Sequence, residues 1–280
     1  MYHRSATISP ADYEAFKSFL QQACGILLGS GKEYLVASRL NNIIKEAQVD
    51  SLGALLDLIR SPAHSHLKVK VIDAMTTNET FWFRDIGHYI LLKETILPDL
   101  NLKRGGSIRI WSAACSSGQE PYNISMIAEE YQGLKPSAKP VQIAATDISS
   151  KMLDEARSGL YCGLAVERGL TPEQKEQKKR FFLAKERCLE VKPEIKRRVS
   201  FSSLNLAGSY HGLGKFDVIF CRNVLIYFSN ELKRDIVDRM ANTLNPGGYL
   251  FLGSTESINQ LTTRFEMKVG HGGISYRLKS

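Results

Sequence analysis

The 280-residue sequence contains no run of about 18 apolar residues, the length that an α-helix needs to cross a bilayer. This absence argues against an integral membrane protein. The first residues, MYHRSATISPADYEAF, also lack the basic and then apolar pattern of a secretory signal. With a hydrophobic fraction of 43% and a charged fraction of 24%, the sequence predicts a globular protein of the cytoplasm.

Cysteine is scarce, and no two cysteines are close together. The five cysteines are an odd number, and none stands in a C-x-x-C pair. This spacing suggests neither a disulfide framework nor a thiolate zinc site, and the six histidines are scattered too. We therefore expect no metal site, and small reduced core residues at Cys24, Cys115, Cys162, Cys188 and Cys221.

Acidic residues are outnumbered by basic ones, which gives a formal net charge of +8. Such a charge calls for an acidic partner, which could be nucleic acid, a membrane surface or an acidic protein. Residues 171–198 alone carry ten Lys and Arg against five Glu. This segment is either a solvated face or a docking surface for something acidic.

The first part of the chain shows helical periodicity and no strand alternation. The stretch SPADYEAFKSFLQQACG begins with Ser9 as the N-cap and Pro10 at the first helical position, and Gly25 ends it. A second amphipathic pattern follows in GKEYLVASRLNNIIKEAQ, and shorter helices are predicted near 52–60 and 66–76. These patterns predict a small helical bundle.

From Ser107 onward, strand and helix patterns alternate. The strand patterns are SIRIWSAA, VQIAATDIS, FDVIFC and YLFLGS, and helix patterns stand between them. Apolar strands that alternate with helices predict an α/β fold with a parallel sheet. The last residues, RFEMKVGHGGISYRLKS, predict an antiparallel hairpin at the sheet edge.

Residues 160–204 depart from this alternation. TPEQKEQKKRFF predicts a helix that starts at Thr171 and Pro172. CLEVKPEIKRRVSF, which follows, resembles a short basic hairpin inserted between sheet strands. The basic segment therefore belongs to an insertion.

Polar residues follow four of the predicted strands, where open parallel sheets bind their ligands. They are Glu120 after SIRIWSAA, Asp147 at the end of the second strand, Asn205 in SSLNL, which follows a further strand, and Asn223 after FDVIFC. Asp147 suits a ribose diol or caps the next helix, and each asparagine alone is more typical of a turn. No G-x-G-x-x-G motif is present, and a carboxylate at a helix N-terminus repels phosphate but suits an ammonium or sulfonium cation.

Together these four residues, with no Gly-rich cradle, favour a nucleoside that carries a positively charged and phosphate-free tail. S-adenosylmethionine fits that description, and NAD fits it poorly. Arg222 and Asn223 interrupt the apolar run FDVIFCRNVLIYF. We interpret them as the point where the strand ends and the ligand begins.

The stretches TTNETFWFRD, SAACSSGQEPY, TDIS and IFCRNVLIYF give the sequence a strong resemblance to the chemotaxis receptor glutamate methyltransferases. The resemblance covers nearly the whole chain. It implies a Rossmann-like S-adenosylmethionine-dependent methyltransferase sheet at 107–280, a helical domain at 1–76 and a linker at 77–106 that contributes to the cofactor site. It also implies an inserted helix and β subdomain at about 160–204.

The implied reaction moves a methyl group from S-adenosylmethionine to glutamate carboxylates of methyl-accepting chemotaxis receptors, for sensory adaptation. S-adenosylhomocysteine is the product. Such a carboxylate, with a pKa near ~4.3, is already ionised, so we expect no general base. The implied catalytic residues are Arg84 and Tyr227, and the implied cofactor-binding residues are Asn78, Thr80, Arg84, Glu120, Asp147, Ile148, Asn205, Leu206, Asn223 and Val224.

The implied partners are the cytoplasmic helices of the receptors. Members of the family present basic residues to these helices, and Arg39 and Lys45 match two of those receptor-binding positions. In some members of the family the inserted subdomain docks a tether peptide at the receptor C-terminus, and whether this chain does so stays open. We expect a monomer that approaches the membrane only through its receptor and binds no nucleic acid.

Two other functions compete with this one. The charge of +8 would also suit a nucleic-acid methyltransferase, but RNVLIY replaces the Asn or Asp-Pro-Pro-aromatic motif of base-methylating enzymes. Only Phe181 and Phe182 stand among the basic residues as stacking surfaces. A catalytically silent regulator that binds the cofactor is the second alternative, although the chain keeps the polar positions that such a protein would lose.

Overall fold

The computed structural model describes residues 8–103, 105–169, 171, 176 and 179–279. Their contacts divide the chain into two compact units. The first unit takes the residues up to Thr77 together with Tyr227–Leu232, and the second takes Asn78–Ile226 and the residues from Lys233 onward. Within the described ranges, no helix combines the length and the apolar character that a membrane span requires.

The first unit is helical, as the sequence predicts. Helix α1 begins where the Ser9 hydroxyl accepts the Asp12 N–H, and it ends at Gly25, whose φ of 79° is left-handed. Apolar residues spaced three or four apart bury one face of each helix. The helices are α1 (Pro10–Cys24), α2 (Glu33–Glu46), α3 (Leu52–Arg60) and α4 (Ser65–Met75), with a 3-10 turn at Pro62–His64.

A short segment from later in the chain, Tyr227–Leu232, completes this first unit. The Leu27 N–H donates to the Tyr227 carbonyl at 2.9 Å. Gly25 leaves room for the segment, since a Cβ at Gly25 would collide with the Leu232 side chain and contact Phe228. The first unit is therefore built from two separate parts of the sequence.

The second unit contains a seven-stranded sheet in the order β6-β2-β1-β7-β8-β10-β9 and a three-stranded sheet in the order β3-β5-β4. In the large sheet β6, β2, β1, β7 and β8 are parallel, while β10 is antiparallel to both β8 and β9. The parallel sheet and the C-terminal hairpin are thus confirmed. The strands are β1 (Ile108–Ala113), β2 (Val141–Asp147), β3 (Leu160–Cys162), β4 (Phe182–Lys185), β5 (Cys188–Val191), β6 (Val199–Ser203), β7 (Phe216–Cys221), β8 (Leu244–Phe251), β9 (Phe265–Gly270) and β10 (Gly273–Leu278).

Helices pack on this sheet and bury its central strands. Ile110, Val218, Phe220 and Phe251 are completely buried because β1, β7 and β8 lie in the interior of the sheet. The helices are α5 (Ile86–Leu91), α6 (Leu97–Leu102), α7 (Gln119–Leu134), α8 (Ser150–Ser158), α9 (Leu164–Glu167), α10 (Pro193–Lys196) and α11 (Asn230–Thr243), with a π-helical turn at Leu92–Ile96 and 3-10 turns at Lys179–Phe181 and Leu225–Tyr227.

The hairpin predicted for CLEVKPEIKRRVSF is wrong. CLEV forms β5, which pairs with β4 and β3 in the small sheet, but Pro193 starts helix α10. Val199 then begins β6, which pairs with β2 at the edge of the large sheet. The alternating Val199 and Phe201 pack against the core under that sheet. Half of the predicted helix TPEQKEQKKRFF lies outside the described residues.

The expectation of five reduced cysteines is also wrong. Cys162 of β3 and Cys188 of β5 stand directly opposite each other in the antiparallel register and form a disulfide. Strand pairing brings these two residues together although 26 positions separate them, so their spacing in the sequence gave no sign of the bond. Cys24, Cys115 and Cys221 are buried and free, as expected.

One histidine of α5 is enclosed by the core of the second unit. His88 is only 3% exposed, and its ring centre lies 5.3 Å from that of Phe251. Burial and, to a smaller extent, the charge of Arg222 lower the pKa of His88 to about 4, against the opposing effect of Asp85. His88 is therefore neutral in the folded protein near neutral pH.

We expect this histidine to make the protein less stable in mild acid. Between its ordinary pKa of 6.5 and about 4, the unfolded chain binds a proton that the folded chain excludes, so stability falls as pH falls through this window. From about pH 7 to about pH 5, His88 should remove roughly 2 kcal/mol from the free energy of unfolding. Urea unfolding should show this loss in the wild type and not in His88→Leu.

His211→Gln, which changes an exposed histidine, is the matched control and should keep the wild-type pH dependence. An equal loss of stability in His88→Leu and in the wild type would show that other groups cause the acid sensitivity.

Candidate functional site

The four polar residues predicted to follow strands lie at one edge of the large sheet. Strands β6, β2, β1 and β7 are parallel neighbours, so their carboxyl ends meet there. Asp147 is the last residue of β2, and Glu120 opens the helix that follows β1. Asn205 and Asn223 each stand two residues beyond the end of a strand. The structure therefore brings these positions together, as the sequence predicts.

Asp147 fastens two loops at this edge. Its Oδ2 accepts the Ser116 N–H at 2.8 Å, and its Oδ1 accepts the Ser149 N–H at 2.9 Å. The Ser149 hydroxyl, not Asp147, caps helix α8 by accepting the Met152 N–H. Because Asp147 does not provide that side-chain cap, its carboxylate has a different role, which is to hold the loop after β1 against the end of β2.

The segment before α5 approaches the same loop. The Asn78 carbonyl accepts the Ser116 hydroxyl at 2.9 Å. Thr80 is half-buried two residues later. The loop is also fixed from β3, since the Tyr161 hydroxyl donates to the Ser117 carbonyl at 2.7 Å. Asn78 thus lies beside the loop that separates β1 from α7.

The aromatic residues of FWFRD are packing residues. Trp82 is almost fully buried, meets the rings of Tyr161 and Phe182 edge to face, and donates its indole N–H to the Ala165 carbonyl. Phe83 packs edge to face on Tyr89. Both aromatic side chains therefore pack inside the second unit.

Arg84 is more accessible than its aromatic neighbours. Its guanidinium lies 5.4 Å from the ring centre of Phe81, and it donates to the Glu79 carbonyl at 3.3 Å. The flanking Phe83 and Asp85 have φ values of 52° and 55°, in the left-handed region that residues other than glycine rarely adopt. The backbone around Arg84 is therefore held in an uncommon conformation.

Arg222 holds the backbone around Arg84 in this conformation. Its Nη2 donates to the Arg84 carbonyl at 2.6 Å and to Asp85 Oδ2 at 2.7 Å. Its Nη1 donates to Glu120 Oε2 at 2.9 Å and to the Tyr89 hydroxyl at 3.3 Å. Arg222 is 7% exposed, so one buried cation joins the end of β7 to the start of α7 and to the FWFRD turn.

The pKa values within this cluster reflect the ion pairs. Burial raises the pKa of the Asp85 carboxyl, but the hydrogen bond and charge of Arg222 outweigh burial and lower it overall. Burial lowers the pKa of Arg222, yet Tyr89, Glu120 and Asp85 raise it above its ordinary value. Burial raises the pKa of Tyr89 to about 12. At neutral pH a charged guanidinium therefore meets a charged Asp85 and a neutral phenol.

Glu120 already has a cation as its partner. Besides the ion pair with Arg222, its Oε1 accepts the Ser112 hydroxyl at 2.7 Å. The sequence predicts a positively charged ligand at Glu120, but it does not show that Arg222 lies there. The available signal was an arginine at the end of a buried strand, because a buried arginine requires carboxylate partners.

The remaining predicted cofactor residues surround the loops after β2, β6 and β7. Asn205 forms a local turn in which its Oδ1 accepts the backbone N–H two residues later, at 3.0 Å. Leu206 is buried, and Ile148 and Val224 are half-buried. Asn223 has a left-handed φ of 58°. Carboxylate and amide oxygens can accept hydrogen bonds, and the apolar side chains next to them can contact a base. The combination fits a nucleoside with a positive tail.

The other predicted residues belong to the first unit. Tyr227 ends the 3-10 turn Leu225–Tyr227. Arg39 donates to the Met75 and Thr76 carbonyls at 2.8 and 3.2 Å, so it stabilises the C-terminal end of α4. Lys45 is exposed on α2. Of the two residues predicted to contact a receptor, Arg39 therefore has a structural role inside its own unit.

Comparison with protein families gives two matches along the chain. Residues 11–76 match the model described as CheR methyltransferase, all-alpha domain. Residues 78–273 match the model described as CheR methyltransferase, SAM binding domain. The two matches cover most of both structural units.

Curated relatives are similar to the chain over nearly its whole length. A protein of Pseudomonas aeruginosa named chemotaxis protein methyltransferase 1 is 51% identical over 96% of this chain and 98% of its own. The chemotaxis protein methyltransferase of Vibrio anguillarum is 48% identical over 98% of both chains. The protein of that name in Escherichia coli is 35% identical over 93% of this chain and 89% of its own.

Removal of the Arg222 side chain should destabilise the second unit strongly. Arg222→Leu leaves the buried Glu120 and the half-buried Asp85 without their cation, and breaking a buried ion pair in this way typically costs about 3–5 kcal/mol. Urea unfolding followed by circular dichroism should show this loss.

Arg157→Gln is the matched control, because it removes an exposed ion pair with Asp154 and should change stability by less than about 1 kcal/mol. If Arg222→Leu were as stable as this control, the ion pairs would contribute little to the fold.

Proposed function

Because the chain belongs to the CheR methyltransferase family, we propose that it methylates glutamate side-chain carboxylates of chemotaxis receptors. Its cofactor is S-adenosylmethionine, for which the family's second domain is named. The observation that supports the proposal most directly is the meeting of Glu120, Asp147, Asn205 and Asn223 at the carboxyl edge of the parallel sheet. The products would be glutamate methyl esters and S-adenosylhomocysteine.

Each part of the cofactor has a suitable group at this edge. Asp147 would accept the ribose hydroxyls, because its carboxylate is already fixed by two backbone N–H groups. Glu120 would face the positively charged methionine portion of the cofactor, although it also pairs with Arg222. Asn78, Thr80 and Arg84 would close the site from the linker, and Ile148, Asn205, Leu206, Asn223 and Val224 would surround the adenine end and the sulfonium.

When bound, S-adenosylmethionine supplies an electrophilic methyl group on a positively charged sulfur. The attacking glutamate carboxylate has an ordinary pKa near ~4.3 and is ionised at neutral pH, so the chain need not remove a proton. Its residues have two tasks, which are to orient the carboxylate oxygen toward the methyl and to exclude water from both charged groups.

Arg84 is the residue that we assign to orienting the carboxylate. The nearby Arg222 directs both Nη atoms to Asp85, Glu120, Tyr89 and the Arg84 carbonyl. Arg84 has a weaker internal bond, at 3.3 Å to the Glu79 carbonyl, and is half-exposed. Its backbone is fixed while its side chain keeps donors for a ligand. A moderate contact suits catalysis, because a very tight ion pair would stabilise the ground state.

Receptor binding in this proposal relies on Lys45 more than on Arg39. Lys45 is exposed, whereas the guanidinium of Arg39 is engaged at the end of α4. For Tyr227, the other residue that the sequence predicts to be catalytic, the proposal keeps a role of its hydroxyl in orienting the carboxylate. The small sheet β3-β5-β4, with its basic surroundings, is the place where a receptor tether peptide would dock.

The reaction is tested by mixing the purified protein with methyl-labelled S-adenosylmethionine and membranes that contain receptors. Label on a receptor-sized band that mild base releases as methanol would establish carboxyl methylation. Base-stable label, or label in RNA, would favour a nucleic-acid methyltransferase instead. Cofactor binding with no transfer to any receptor tested would favour a silent regulator.

The orienting role of Arg84 predicts a specific kinetic defect. Arg84→Ala should lower kcat by roughly 10- to 100-fold, since a misplaced reacting group loses about that much rate. Tyr227→Phe should lower kcat in the same direction. Arg157→Gln, an exposed arginine outside the site, should retain wild-type kcat. Full turnover by either site variant would refute the role assigned to that residue.

A further inference from the structure

Glu256 lies beyond the ends of two neighbouring strands, β7 and β8. Its Oε2 accepts the Asn223 N–H at 2.7 Å and the Gly253 N–H at 2.8 Å. Its own N–H donates to the Gly253 carbonyl at 2.9 Å, which closes a tight turn. One carboxylate oxygen therefore ties the loop after β7 to the loop after β8.

These bonds hold Asn223 in an unusual conformation. Its φ of 58° is left-handed, a region that asparagine tolerates better than most residues but that still requires support. The side-chain amide packs against Gly253, where a Cβ would lie 2.8 Å from Asn223 Cγ. The direction of the amide thus depends on the acceptor at Glu256 and on the absence of a side chain at residue 253.

We propose that Glu256 is a positioning residue that sets the Asn223 amide in its orientation for binding the cofactor. The inference rests on the proposed function in one respect, namely that Asn223 contacts S-adenosylmethionine. Without the Glu256 acceptor, the N–H groups of Asn223 and Gly253 lose their partner. The backbone of Asn223 then relaxes toward the common region of φ, and the amide turns away from the cofactor.

The hydrogen bonds from Asn223 and Gly253 require an acceptor oxygen but not a negative charge. A glutamine at position 256 should therefore serve as well as Glu256. Its amide oxygen can accept both N–H groups. Glu256 also lines a cavity of about 250 Å³ together with Asp85, Ser254 and Tyr276. The new amide N–H₂ group is close in size to the Oε1 atom that it replaces, so the change needs little additional space. Alanine at position 256 removes the acceptor entirely.

Hydrogen exchange of the cofactor-free protein tests the geometry directly. In the wild type, the backbone amides of Asn223 and Gly253 should be protected. In Glu256→Ala they should exchange at least about tenfold faster, because the bonds that protect them are gone. Glu256→Gln should keep them protected, and so should Glu266→Ala, a control that changes an exposed glutamate of β9. Unchanged exchange in Glu256→Ala would overturn the proposal.

Calorimetric binding of S-adenosylhomocysteine tests the consequence for the cofactor. Asn223→Ala and Glu256→Ala should each raise Kd by about tenfold, and Glu256→Gln by no more than about twofold. The double variant Asn223→Ala/Glu256→Ala should bind no more weakly than Asn223→Ala, because both changes remove the same contact. Gly253→Ala should weaken binding in the same way, because its methyl group would collide with the Asn223 amide and crowd Glu256 Oε2.

Two results would show that Glu256 does not act on the cofactor through Asn223. One is additive losses of affinity in the double variant, and the other is normal binding by Asn223→Ala together with weak binding by Glu256→Ala. Failure of the wild-type protein to bind S-adenosylhomocysteine would contradict the proposed function instead. The two failures are therefore distinguishable.

Discussion

The guanidinium of Arg222 is the constraint on which the arrangement of the candidate site depends. It is buried, so it must be neutralised where it lies, and Asp85 and Glu120 supply the two carboxylates. The same side chain binds the Arg84 carbonyl and thereby fixes a turn with left-handed residues on both sides. The end of β7, the start of α7 and the segment before α5 are thus positioned by one ion-pair network.

The sequence predicts much of this site because the fold determines where strand ends lie. Alternation of apolar strands with helices implies parallel pairing, and parallel pairing brings the residues after β1, β2, β6 and β7 to one edge. Asp147 and Asn223 could therefore be selected by position alone. The helices of the first unit were predictable for a similar local reason, since caps such as Ser9 and Gly25 mark their ends.

The features that the sequence did not predict are contacts between distant residues. Arg222 lies 102 positions from Glu120 and 137 from Asp85, and no local pattern relates them. The Cys162–Cys188 bond likewise requires knowledge of the register of β3 and β5. The division of CLEVKPEIKRRVSF between two sheets is decided by burial of Val199 and Phe201 under the large sheet, although the local pattern resembles a hairpin. Tertiary packing outweighs local propensity in each case.

The segment Tyr227–Leu232 makes the helical unit dependent on residues that the chain supplies much later. Phe228 is buried, and the Leu27 N–H donates a hydrogen bond to the Tyr227 carbonyl within that unit. During synthesis, residues up to Thr77 would leave the ribosome long before this segment and would have to wait for it to complete their packing. A gene fragment that ends at Thr77 would likewise encode helices with an uncovered apolar surface, and one that begins at Asn78 would leave Phe228 without its cover. The boundary between the two units is thus a poor site for dividing the gene.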